Sequence, residues 1–111
     1  MAPAMPKQHF FFKLIPPRAT FPGDITGPET LLMKEHAVYF QEQFTAGKIL
    51  LYGPVMTKDG TFGLAILEVA DEAEACQFGK NDPSVRAGLN RFEVYSMRLG
   101  AAQSSRTGTA A

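Results

Sequence analysis

The first strongly patterned stretch of the chain is an apolar run over residues 8–15 (QHFFFKLI), followed directly by two prolines. Because proline cannot donate a ladder hydrogen bond, Pro16 and Pro17 end the run, and the pattern predicts a first strand. Residues 16–26 combine prolines with a glycine and an aspartate, which is typical of a loop. A loop of this length in a small domain often borders a functional site, and a plain surface crossover is the alternative.

The next segment has the spacing of an amphipathic helix that begins near Pro28 and ends near Ala46. Proline is favoured in a first helical turn, and the Thr-Gly pair before it offers a cap. Apolar side chains recur at helical spacing and predict a buried stripe that contains Met33, Ala37, Phe40 and Phe44. His36 lies next to this stripe in the helical pattern, so we expect its imidazole beside buried surface rather than in solvent.

Residues 48–56 and 61–69 predict a β-hairpin, because an Asp-Gly pair lies in the turn between them. The apolar residues of the second strand fall on both faces, with Phe62, Leu64 and Ile66 on one and Ala65, Leu67 and Val69 on the other. A strand with one face in solvent alternates apolar with polar residues. This sheet is therefore predicted to be covered on both sides.

A second, short helix is predicted from Asp71 to Lys80, with an acidic residue three positions after its cap. A turn-rich passage follows, and residues 91–99 predict a fourth strand. The order strand, helix, strand, strand, helix, strand is that of the ferredoxin-like α+β fold. Both helices of that fold cover one sheet face, so the apolar residues of the other face predict a homodimer that pairs through it.

Length and composition fit one globular domain, which we assign to residues 8–99. Residues 1–7 form an N-terminal extension, and residues 100–111 form a tail that is predicted to be disordered.

The 11 basic and 11 acidic residues are scattered, which argues against nucleic acid or an anionic membrane as a partner. No apolar run reaches the roughly 20 residues of a membrane span. Cys76 is the only cysteine, so a cytoplasmic protein is expected.

Motifs for phosphate binding, for a nucleophilic serine and for thiolate metal sites are missing, so candidate chemistry rests on single residues. With two histidines and one cysteine, neither a metal nor another cofactor is expected. His36 on the first helix and Asp82 after the second belong to elements that pack on the same sheet face. A carboxylate there could hold one ring nitrogen and leave the other for proton transfer.

The alternative interpretation of these two residues is structural. In that case a backbone carbonyl satisfies His36, and Asp82 caps the turn that begins at Pro83. Spacing alone favours this alternative. A further candidate is Tyr52-Gly53-Pro54 in the second strand, where the glycine permits close approach of a ligand and the segment could floor a pocket. An irregular edge strand is the other interpretation of this tripeptide.

Three segments together resemble the YCII-related proteins: EHAVYFQEQFTAGKILLYGPV, GLAILEVADEAEA and NDPSVRAGL. The pattern of that family is a helix histidine, a Gly-Pro in the second strand and an Asp-Pro after the second helix, and the resemblance covers about residues 8–99. It implies a dimeric α/β barrel with a pocket between sheet and helices. It also implies a catalytic His-Asp dyad, which falls here on His36 and Asp82 and reverses the preference drawn from spacing.

One branch of the family that this chain resembles is a dehydrochlorinase, whose lyase-type reaction needs proton transfer but no cofactor. Our leading hypothesis is therefore a cofactor-independent lyase or isomerase that acts on a small aromatic or enol-containing molecule, with His36 as general acid/base and Asp82 orienting it. The candidate pocket residues are Phe10, Phe12, Tyr52, Gly53, Pro54 and Phe62. Two alternatives stay open: a small-molecule-binding or accessory module without turnover, and a cofactor-free monooxygenase of the dimeric α/β-barrel type.

Overall fold

The computed structural model describes residues 6–103 of the chain. Its strands are β1 (Gln8–Ile15), β2 (Ile49–Thr57), β3 (Gly60–Val69) and β4 (Arg91–Met97). Its helices are α1 (Gly27–Thr45), α2 (Glu72–Lys80) and the short α3 (Pro83–Arg86). The predicted ferredoxin-like α+β fold is confirmed, and α3 forms where only a turn-rich passage was expected. The predicted N-terminal extension and disordered tail fall mainly on residues 1–5 and 104–111, which lie outside the described residues.

The four strands form one antiparallel sheet in the order β2-β3-β1-β4. β2 is an edge strand, and this explains how it tolerates a proline, which has no ladder donor. The strand nevertheless runs through Tyr52-Gly53-Pro54 without a break, because Pro54 still lies opposite Gly63 of β3. The irregularity of this strand lies earlier, where the register shifts between Ile49 and Leu51.

One face of the sheet packs against the helices and forms the core. Alternate residues of β1 and β3 point to this face and are buried, namely Phe10, Phe12, Leu14, Ala65, Leu67 and Val69. The Phe12 ring meets Phe78 of α2 edge-on at 5.1 Å and Phe40 of α1 at 5.9 Å between centroids. This aromatic cluster holds both helices on the sheet. Each pair of aromatic rings stabilises the fold beyond what the burial of its apolar surface contributes.

Helix α1 begins with a capping box, in which Thr26 and Glu29 satisfy each other's backbone N–H groups. The predicted apolar stripe of this helix is only partly correct, since Phe40 is buried whereas Ala37 and Phe44 are exposed. Ala37 is exposed because it borders an open cavity, whereas Phe44 lies outside that cavity with its ring centroid 5.8 Å from that of Tyr52.

The other face of the sheet carries an apolar row that crosses all four strands. Leu51, Ile66, Phe11 and Tyr95 lie opposite one another in register. The Phe11 and Tyr95 rings stack with 5.8 Å between centroids, and about half of the Leu51 and Tyr95 side chains is exposed in the single chain. Ile66 belongs to the apolar set of β3 from which a covered second sheet face was predicted.

Candidate active site

A cavity of about 320 Å³ lies between α1, the β2-β3 end of the sheet and the loop that joins β1 to α1. Its walls are mainly apolar, and they include Leu14, Phe21, Pro22, Met33, Ala37 and Phe40. Among the described residues that line it there is no Asp, Glu, Lys or Arg. A mostly apolar concavity of this size with few polar groups is typical of a small-molecule site.

His36 lines the cavity and carries an imidazole, the side chain that most often acts as a general acid or base. Its Nδ1 lies 2.8 Å from Oδ2 of Asp82, and its ring centroid lies 4.3 Å from that of Phe40. The side chain keeps 16% of its surface exposed, whereas that of Asp82 is fully buried. Nε2 makes no hydrogen bond to any of residues 6–103, so one ring nitrogen is held and the other is left for a ligand.

Asp82 uses its two carboxylate oxygens for different purposes. Oδ1 accepts hydrogen bonds from the backbone N–H of Ser84 at 2.8 Å and from its hydroxyl at 2.9 Å, which caps α3. Oδ2 is the oxygen that contacts His36. The structural and the catalytic interpretations of Asp82 are therefore compatible, because the cap uses one oxygen and leaves the other.

The pairing also selects the tautomer of the neutral imidazole. An ionised carboxylate only accepts hydrogen bonds, so the proton of a neutral His36 ring must lie on Nδ1. Nε2 then carries a lone pair, which is the form that a general base requires.

Tyr39 lies on the α1 side of this arrangement and donates its hydroxyl to the carbonyl oxygen of Phe78 at 2.7 Å. Burial, and secondly the negative charge of Asp82, raise the pKa of Tyr39 to about 12. Tyr39 therefore stays protonated at neutral pH and serves as a tie between α1 and α2.

The loop before α1 forms one wall of the cavity and is fixed by Arg18. The Arg18 guanidinium donates to both carboxylate oxygens of Glu29, at 2.8 and 2.9 Å, and to Asp24 at 3.0 Å. The hydrogen bonds that Glu29 accepts from Arg18 and, secondly, from the backbone N–H of Thr26 lower its pKa to about 2. The same guanidinium lies 5.5 Å from the Phe21 ring centroid, and Phe21 and Pro22 both line the cavity.

The cavity brings together most of the residues singled out in the sequence. His36, Tyr52, Gly53, Pro54 and Phe62 line it, and Asp82 lies directly behind His36. The Phe62 ring nevertheless packs 4.9 Å from Nζ of Lys13, whose position in β1 belongs to the opposite sheet face. A Cβ on Gly53 would meet nothing within 4 Å, so this glycine borders open space rather than a close contact.

Phe10 and Phe12, which were expected among the pocket walls, lie elsewhere. Both are buried in the core, because alternate positions of β1 point at the packed helices. Leu14, two residues further along the same face, does reach the cavity. Asn90, which lines the cavity from the turn before β4, was not among the expected pocket residues, and no pattern in the sequence marks it.

Within residues 6–103, no group of three His, Cys, Asp or Glu side chains is placed to hold a metal ion. The helices in the same part of the chain are too short or too polar for any of them to cross a bilayer.

Comparisons with known proteins bear on the family and the fold of the chain. The model of the YCII-related domain family matches residues 22–98. A similar solved structure is 5-chloro-2-hydroxyhydroquinone dehydrochlorinase from Burkholderia phenoliruptrix AC1100, in complex with 2,5-dihydroxybenzoquinone. It shares 24% identity with this chain at a TM-score of 0.56, over 82% of this chain and 95% of that one. None of the curated proteins matches the chain.

Proposed function

Because the chain belongs to the YCII-related domain family, we propose that it is an enzyme that moves a proton on a small uncharged molecule. His36 acts as the general base and then as the general acid, and Asp82 orients its ring. The supporting observation is the 2.8 Å contact between His36 Nδ1 and Asp82 Oδ2 at the wall of the apolar cavity.

In the proposed reaction, the Nε2 lone pair of His36 takes a proton from a carbon or oxygen of the substrate. The bonding electrons move into the substrate's conjugated system, and the resulting imidazolium is stabilised by the buried carboxylate of Asp82. If those electrons expel a leaving group the reaction is an elimination, and if the proton returns at another atom it is an isomerisation. Neither course needs a cofactor.

The substrate class follows from the cavity and from the structural neighbour. An apolar cavity without charged walls suits a neutral planar molecule. The neighbour's name and ligand are those of a dehydrochlorinase and a dihydroxybenzoquinone. We therefore propose hydroxylated aromatic or enol-containing molecules as substrates, and chlorinated hydroquinones as the first compounds to test.

The second candidate is a binding module without turnover, and one observation favours it. Asp82 caps α3 through Oδ1, which gives that residue a structural reason to be there. The cofactor-free monooxygenase rests on the fold alone.

Turnover of a panel of chlorinated hydroquinones, hydroxyquinols and enol lactones tests the proposal. We expect His36→Gln and Asp82→Asn to lower kcat about 100-fold or more, the usual contribution of a general acid or base. The matched control is His9→Gln, because His9 forms a comparable 3.0 Å pair with Glu68 but does not line the cavity. Undiminished kcat in His36→Gln would contradict the proposal, and ligand binding without turnover would favour the module.

We further propose that two copies pair through the apolar row of Leu51, Ile66, Phe11 and Tyr95, which would remove this surface from water. Sedimentation velocity tests this: the wild type should sediment as a dimer and Ile66→Lys as a folded monomer. A monomeric wild type at micromolar concentration would contradict the pairing.

We place the protein in the cytoplasm, because its one cysteine suits a reducing compartment, and cell fractionation tests that location.

A further inference from the structure

Asn90 is a polar side chain at the cavity whose role the dyad does not explain. It is only 3% exposed, and it lies in the turn before β4. Its Nδ2 donates to Oγ of Ser84 at 2.9 Å and approaches Sδ of Met33 at 3.4 Å. Its backbone N–H also donates to the carbonyl oxygen of Ser84, at 3.1 Å. The position of Asn90 is therefore fixed through both its backbone and its side chain.

These contacts also decide which way the amide of Asn90 points. The Ser84 hydroxyl donates its one proton to Oδ1 of Asp82, so Ser84 Oγ can only accept from Asn90. The NH₂ group of Asn90 must therefore face Ser84. The rotated amide would set Oδ1 against an oxygen that has no proton to offer.

The amide oxygen is the atom left over by this arrangement. Among the buried side-chain nitrogen and oxygen atoms of residues 6–103, Oδ1 of Asn90 is the one without a hydrogen-bond partner. A buried carbonyl without a donor is costly, and such an atom at a cavity calls for a functional explanation. Asn90 lines the same cavity as His36.

We propose that Asn90 is a ligand-binding residue whose Oδ1 accepts a hydrogen bond from a hydroxyl or N–H group of the molecule in the cavity. Oδ1 is covered by its neighbours, so a donor reaches it from the cavity when the flexible Met33 side chain, which contacts Asn90 and also lines the cavity, moves aside. Asn90 thereby selects ligands that carry a donor over ligands of the same shape that lack one, since the mismatch would leave the amide oxygen unpaired. This inference rests on the proposed function only in taking the cavity as the ligand site, and it needs no turnover.

Calorimetric titration with matched ligands tests the role of Asn90. Catechol, resorcinol and hydroquinone place two hydroxyls at three spacings, and the dimethyl ether of each keeps the ring but removes both donors. The wild type should prefer at least one diol over its ether. Asn90→Leu, which keeps the side-chain size, should weaken that diol about 3- to 10-fold, the value of one hydrogen bond, and leave the ether unchanged. His9→Gln should behave as the wild type.

A second measurement uses the wild type alone, in case Asn90→Leu does not fold. The ¹³Cγ resonance of Asn90 should move when the preferred diol is added and stay in place with its ether. The inference is overturned if the wild type shows no preference for any diol, if the preference is as large in Asn90→Leu as in the wild type, or if the ¹³Cγ resonance ignores the diol. Binding of a diol, together with no turnover of the chlorinated hydroquinones, hydroxyquinols and enol lactones, would contradict the proposed enzyme and leave the role of Asn90 standing.

Discussion

Gly79 in α2 provides the sharpest test of how the helices are held near the site. A Cβ added to Gly79 would lie 2.6 to 2.7 Å from three carbon atoms of the Phe92 ring. Carbon atoms pack at about 3.5–4.0 Å, so the overlap approaches 1 Å. Phe92 cannot easily move away, because its ring stacks on the fully buried Phe12 with 5.5 Å between centroids.

Two opposing effects set the size of the change in Gly79→Ala. Alanine is favoured over glycine inside a helix by about 1 kcal/mol. Overpacking of a well-filled core costs typically about 1–3 kcal/mol, and the upper half of that range applies here because the clashing ring is already stacked on Phe12. We therefore expect Gly79→Ala to be destabilised by about 1–2 kcal/mol. For a domain of this size each kcal/mol lowers Tm by about 4–8 °C.

Urea denaturation followed by circular dichroism measures this change. The matched control is Gly27→Ala at the start of α1, where a Cβ meets nothing within 4 Å, so stability should not fall. Gly79→Ala combined with Phe92→Leu should recover part of the loss, because leucine lacks the clashing ring. A Gly79→Ala variant as stable as the wild type would refute the close packing of α2 on β4. That packing also bears on the site, because the Asp82 N–H donates to the Gly79 carbonyl at 3.2 Å.

Two ionisable side chains make the stability depend on pH in opposite directions. The pKa of Tyr39 rises from 10.0 to about 12 on folding, so its contribution is complete below pH 10 and lost as the pH rises towards 12. Tyr39→Phe should be less stable at neutral pH, with a gap in urea midpoint to the wild type that narrows above pH 10. The pKa of Glu29 falls from 4.5 to about 2, so its contribution is present above pH 4.5 and lost as the pH falls towards 2. The gap in Tm between wild type and Glu29→Gln should therefore shrink between pH 6 and pH 3, and a constant gap in either series would contradict the assignment.

The fold was predictable because local signals agree with its tertiary packing. Pro16-Pro17 ends β1 where expected, and the observed strand is the predicted Gln8–Ile15. The hairpin turns at Lys58 and Asp59, inside the predicted turn, and Thr26 caps α1. Each of these signals acts within a few residues, so the sequence carries it without knowledge of the partners.

The candidate site was predictable only where a residue's role is tied to its element. The pairing of His36 with Asp82 followed from a helix position and a family pattern, and the two side chains do meet. The residues of the cavity wall were harder to predict. Periodicity marks Phe12 as facing inward, but it does not say whether packed side chains or open space lie there. Asn90 depends on the folded turn around Ser84, and no periodic pattern reports such a contact.

The central claim is that Asp82 holds the proton of a neutral His36 on Nδ1 and leaves the Nε2 lone pair at the cavity. Imidazole ¹⁵N NMR at a pH where the ring is neutral measures this directly. The wild type should show a protonated Nδ1 and an unprotonated Nε2. In Asp82→Asn the amide oxygen should keep the cap on Ser84 and the NH₂ should donate to His36, which reverses the tautomer. A wild-type ring protonated on Nε2, or a tautomer that ignores the substitution, would contradict the account.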